Sequence, residues 1–187
     1  MIYPQKISSK KSEQIINGLI LVSVIIGTIL IIINKLTTPE ISWSALANCG
    51  IIYIWITIIY SIKSGTNIAG HVLIQMILVS IVMLYIDQTL GFIGWSIYIA
   101  IPIVLIVANI TMLALTIISY KKYIKYAIYQ LMIVLMSLMP IVLVTKNIIE
   151  LNILIRTAID ISVFNFMISL ILCFNDIKEA VIRKIHI

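Results

Sequence analysis

The sequence predicts an all-α, polytopic membrane protein: six transmembrane helices in one compact bundle, with the N and C termini both cytoplasmic. Three observations carry that prediction. First, 62% of the 187 residues are hydrophobic and 11% are charged, and the mean hydropathy is +1.18. A soluble domain carries about a quarter charged residues, so at this composition the surface of a water-soluble globule could not be covered and the solvent must be lipid. Second, the apolar residues fall into six runs, each near the roughly 20 residues that a helix needs to cross the hydrocarbon. Third, Lys and Arg are divided unequally between alternate loops, as the positive-inside rule requires. This composition excludes a soluble enzyme, a nucleic-acid-binding domain and a disordered chain.

The first 14 residues form a polar lead-in with Tyr3, Pro4, Ser8 and Ser9. Helices are then predicted over 15–34, 43–62, 68–86, 95–120, 127–145 and 153–174. Their Ile and Val content would favour strands in water, but the runs do not alternate apolar with polar residues as barrel strands do. Lys10 and Lys11 before the first run resemble a secretory leader. The run is longer than a signal core and no small-x-small cleavage pattern follows Asn34, so it is read as a retained helix. Leu46-Ala47-Asn48-Cys49 imitates a lipoprotein box but lies inside the second run. Cys49 and Cys173 both sit in apolar runs without a Cys or His beside them, so neither a disulfide framework nor a zinc site is expected. Short connections predict antiparallel neighbours in one domain. In the basic tail, 175–187, Ile177, Ala180, Val181 and Ile185 recur at helical spacing. That segment either lies as an amphipathic helix along the inner interface or simply extends the last helix.

The formal charge is +6, from 13 Lys and Arg against 7 Asp and Glu. Lys6, Lys10, Lys11, Lys63, Lys121, Lys122, Lys125, Lys178, Arg183 and Lys184 fall on one side of the six runs, and only Lys35, Lys146 and Arg156 on the other. With an even number of helices, this places both termini in the cytoplasm. The short basic clusters fit anionic headgroups at that face better than nucleic acid, and a membrane or cytoplasmic protein is the other partner considered.

Trp43-Ser44 and Trp95-Ser96 both open an even-numbered helix on the outer side. A duplicated hairpin would explain this, but so does the preference of Trp for the headgroup belt. Before the second of them runs Asp87-Gln88-Thr89-Leu90-Gly91-Phe92-Ile93-Gly94-Trp95-Ser96, followed by Tyr98 and Pro102. With Tyr3-Pro4 near the start, this series resembles an uncharacterised family of small six-helix bacterial membrane proteins, many of which carry a Cys-rich zinc ribbon before a Tyr-Pro step. The ribbon cysteines are absent here. The resemblance therefore implies a multi-pass protein of a bacterial cytoplasmic membrane and no named activity. Physically, Gly91 and Gly94 allow a tight turn, Asp87 can accept from its free amides, and Trp95 anchors the next helix. Alternatively Asp87 makes the turn an outward recognition lip for a cation or a partner loop.

Within the runs, polar residues are the informative ones. Arg156 and Asp160 share a face of the last helix and form either a snorkelling pair, a buried ion site or a bridge to another helix. His71 and Gln75 share a face of the third helix beside Gly70, where an interhelical hydrogen bond competes with proton or ligand binding. Ser162, Asn165, Ser169 and Cys173 on the sixth helix, and Pro102, Asn109 and Thr116 on the fourth, form stripes expected to face other helices. Pro102 and Pro140 free backbone carbonyls and mark bends or a ligand site. Ser23 and Gly27 suit close helix contact. No catalytic motif, metal-ligand spacing or cofactor signature is present. The expected function is that of a non-enzymatic membrane subunit or scaffold; the alternative is a small-molecule or ion transporter, or its binding subunit. Transport requires Asp160, Asn109 or His71 to converge on a central cavity, whereas a scaffold requires a dry core and a polar outer lip.

Overall fold

The computed structural model describes the backbone of residues 9–64, 67–118 and 123–185, and the side chains of 13–63, 67–118 and 127–171. The Tyr3-Pro4 step, the Lys121 and Lys122 loop and the Cys173 and tail side chains lie outside the described residues. The helices are α1 (Ser9–Thr37), α2 (Trp43–Ser64), α3 (Ile68–Thr89), α4 (Ile101–Ile118), α5 (Tyr123–Ser137), α6 (Met139–Thr145) and α7 (Ile153–Ile185), with a π-helical turn, Ser96–Ala100, leading into α4. No strand occurs among the described residues. Six stretches are long and apolar enough to cross a membrane: Glu13–Thr37, Trp43–Lys63, Ile68–Thr89, Ser96–Ile118, Ala127–Thr145 and Ile153–Ile171.

Three features differ from the expected picture or sharpen it. The fifth span is two helices, because Pro140 has no N–H for the preceding turn; at the break Leu138 still donates to Val134 O at 3.0 Å, while Ile141 donates to Leu138 O. Backbone helix continues from the last span to Ile185, so the first part of the tail extends α7. By their contacts the helices group into two compact units, Met1–Ile59 and Tyr60–Ile187. Lipid tails are as apolar as Leu, so a helix such as α1, which exposes Leu21, Val24, Ile25, Ile29 and Ile32, gains little by further burial.

In the first unit, polar side chains fix the α1–α2 hairpin. Asn34 donates through Nδ2 to Thr38 O and Ile41 O, both at 2.7 Å, and accepts from Ser44 N at 3.0 Å. Trp43 Nε1 donates to Thr38 Oγ1 at 2.8 Å. Farther along, Asn48 Nδ2 donates to Gly27 O at 3.3 Å. A methyl group on Gly27 would collide with the Asn48 amide, so this glycine is what permits the approach. Ser23, the other small residue of that step, bonds back to Leu19 O of its own helix at 2.9 Å.

In the second unit α4 is central, packed against α3, α5 and α7. Its buried residues Pro102, Leu105, Ala108, Asn109, Met112 and Thr116 recur every three or four positions, which gives one inward stripe. Ala69, Ala108 and Ala158 in the core let the helix backbones come close.

Candidate functional site

The polar groups of the second unit gather in two places. One is the helix centre. Asn109 on α4 donates through Nδ2 to Ser137 Oγ on α5 at 2.7 Å and to Ser162 Oγ on α7 at 3.3 Å. Its Oδ1 accepts from Asn165 Nδ2 at 2.9 Å. Asn165 Oδ1 in turn accepts a short bond from Gln130 Nε2, and Gln130 Oε1 accepts from Thr116 Oγ1 at 3.0 Å. All six side chains are buried. Three helices are thus joined by a neutral chain of amides and hydroxyls, whose low-dielectric surroundings make each missing partner expensive.

The second place is the α3–α4 connection. Gly91 and Gly94 adopt φ of +94° and +89°, values that L side chains rarely reach. Asp87 is buried beneath them. Its Oδ1 accepts from Ile93 N at 3.1 Å, and its Oδ2 accepts from Gly94 N at 3.1 Å, Ser96 N at 3.2 Å and Ser96 Oγ at 2.7 Å. The carboxylate therefore organises the turn from inside. Trp95, half-buried, precedes the π-helical turn.

That turn is tied to α7. Pro102 cannot donate to Tyr98 O, its partner four residues back. Asn152 Nδ2 supplies the missing bond at 2.7 Å, while Asn152 Oδ1 accepts from Ile155 N at 2.7 Å as the N-cap of α7. One amide completes both helix starts.

The remaining candidates lie apart from these networks. His71 and Gln75 line an apolar groove of about 430 Å³ between α3 and α4, with Val72, Met76, Val104 and Thr111. The His71 ring meets Tyr60 edge to face at 4.9 Å, and Gly70 leaves room for the Tyr60 hydroxyl. Arg156 and Asp160 are exposed, on the flank of α7 away from the buried stripe Ile155, Ala158, Ser162 and Asn165. Asp160 thus joins neither Asn109 nor His71 in a common cavity.

Residues 3–187 match a family of unknown function, DUF6320. The chain belongs to that family. No curated protein and no solved structure matches it. In this DUF6320 member the sequence reading placed Asn109, Thr116, Ser162 and Asn165 on inward faces, and they meet there. It missed Gln130 and Ser137, although their spacing of seven on α5 repeats the spacing of Asn109 and Thr116 on α4. It also missed Asn152, whose signal was an Asn three residues before a helical amide that needs a cap.

The dual role of Asn152 gives a test. Asn152→Ala removes a cap and strands Tyr98 O, and lowers stability by about 2 kcal/mol. Pro102→Ala restores an N–H to that carbonyl, so the same Asn152→Ala change costs about half as much in its background. Unfolding titrations of the four proteins in detergent check this; equal costs in both backgrounds would show that Asn152 acts as a cap alone.

Proposed function

We propose that this DUF6320 protein is a non-enzymatic, multi-pass membrane subunit or scaffold of a bacterial cytoplasmic membrane. In this reading both termini are cytoplasmic, the Lys clusters rest on anionic headgroups, and the α3–α4 turn and α6–α7 segment face outward. Like the ribbon-bearing proteins it resembles, it is read as an integral membrane protein.

The observation that carries the reading is the neutral network at the centre of the second unit. Asn109, Thr116, Gln130, Ser137, Ser162 and Asn165 spend their polar atoms on one another and on the helix carbonyls of Leu105 and Met112, and among the described residues no buried side-chain nitrogen or oxygen lacks a partner. A translocation path needs polar atoms that exchange partners with a passing solute. A fixed platform needs them already engaged.

The test is extraction from native membranes in mild detergent at natural expression, followed by mass spectrometry of stoichiometric companions. A reproducible membrane or cytoplasmic companion is expected. Isolation of the chain alone would overturn the subunit reading in favour of an autonomous carrier, with flux through vesicles carrying Asp160→Asn as the next assay.

A further inference from the structure

A cavity of about 490 Å³ opens between the π-helical turn and the segment joining α6 to α7. Its volume falls within the range of roughly 300–1,000 Å³ used by small-molecule sites. Tyr98, Asn147 and Glu150 provide its polar lining, beside Val144 and Ile148. Residues 146–151 fall between two spans, which puts the cavity at a span end, within reach of the aqueous phase.

Its walls are fixed by their own bonds. Asn152 holds the Tyr98 carbonyl, and the Tyr98 ring lies across Gly94, 3.5 Å from where a Cβ would stand. On the other wall Asn147 adopts φ of 55°, and its N–H and that of Ile148 bond to Val144 O at 2.9 Å and Leu143 O at 3.0 Å. The carbonyls of Leu143 and Val144 near the end of α6 are thereby engaged. Asp87, another carboxylate of the second unit near this end, is occupied by the α3–α4 turn. The acidic residue in the lining is Glu150, which is exposed; Lys146, the nearest cation in sequence, is the C-cap residue of α6 and is outside the lining.

We propose that this cavity binds a small monovalent organic cation, a primary or quaternary ammonium, with Glu150 as counter-charge and the Tyr98 ring as a cation–π surface. A hard divalent ion takes six or more oxygen ligands. One carboxylate, one aromatic face and apolar flanks instead match an alkylammonium, whose charge and hydrocarbon both need contact. The site is additional to the scaffold reading and does not rest on it.

The test uses the full-length protein in dodecyl maltoside micelles, which carry no ammonium group, with saturation-transfer NMR titrations of tetramethylammonium and n-butylammonium chloride, and tert-butanol as the neutral probe. Saturable binding of at least one ammonium is expected, with none by tert-butanol. Glu150→Gln weakens it about five-fold, Glu150→Asp retains it, and Tyr98→Leu weakens it about three-fold. Tyr98 uses its backbone carbonyl for Asn152, so the Leu variant keeps that bond, and an unchanged thermal midpoint verifies it. No saturation by either ammonium, tert-butanol binding as well as they do, or Glu150→Gln binding like the parent would each overturn the proposal.

Discussion

Asp87→Ala lowers the thermal midpoint of the purified protein by about 5 °C or more. The substitution leaves three backbone amides and the Ser96 hydroxyl without their acceptor. At the head of a membrane helix, water can replace only part of what the carboxylate supplies. Asp87→Asn is nearly as damaging, because one of its two terminal atoms becomes a donor facing donors. Circular dichroism melting in detergent checks both variants. A midpoint for Asp87→Asn equal to that of the parent would show that the two glycines hold the turn without a charged acceptor.

The second large effect lies at the helix centre. Asn165→Leu deprives Asn109 Oδ1 of its donor and Gln130 Nε2 of its acceptor, at an expected loss of about 2 kcal/mol. Asn109→Leu strands Asn165 Nδ2 and loses the links to Ser137 and Ser162, with a loss of similar size. The double variant loses about 1 kcal/mol less than the two singles together, because the groups removed were each other's partners. Reversible unfolding in mixed micelles measures the four corners of this cycle. Additivity would mean that the two amides are stabilised by different neighbours.

These two sites also mark how far the sequence could be read. The six spans were legible because apolar runs of this length have one stable form in lipid. The inward faces of α4 and α7 were legible for a related reason: a polar side chain in hydrocarbon turns toward a neighbour, so the stripes through Asn109 and Asn165 point at each other. Which residues they would find was not legible, since pairing Asn109 with Asn165 depends on helix register across 56 positions. Arg156 and Asp160 show the converse. Spacing put them on one face, but only the burial of Ala158 and Ser162 beside them reveals that the face looks outward. For Asp87 both readings started from the same residues, and the φ angles of Gly91 and Gly94 bring the amides onto the carboxylate.

The bonds of α7 also set an order on biogenesis. Helix α4 leaves the ribosome carrying two unmet needs, the Tyr98 carbonyl above Pro102 and the Asn109 side-chain oxygen. Both are answered from α7, by Asn152 and Asn165, some 50 residues later in synthesis. Until then α4 is a membrane-inserted helix with exposed acceptors, a fit client for an insertase or a chaperoning helix. Completion of the second unit is therefore tied to the last span, and nascent chains halted after α6 should be held at the insertion machinery and degraded rather than released.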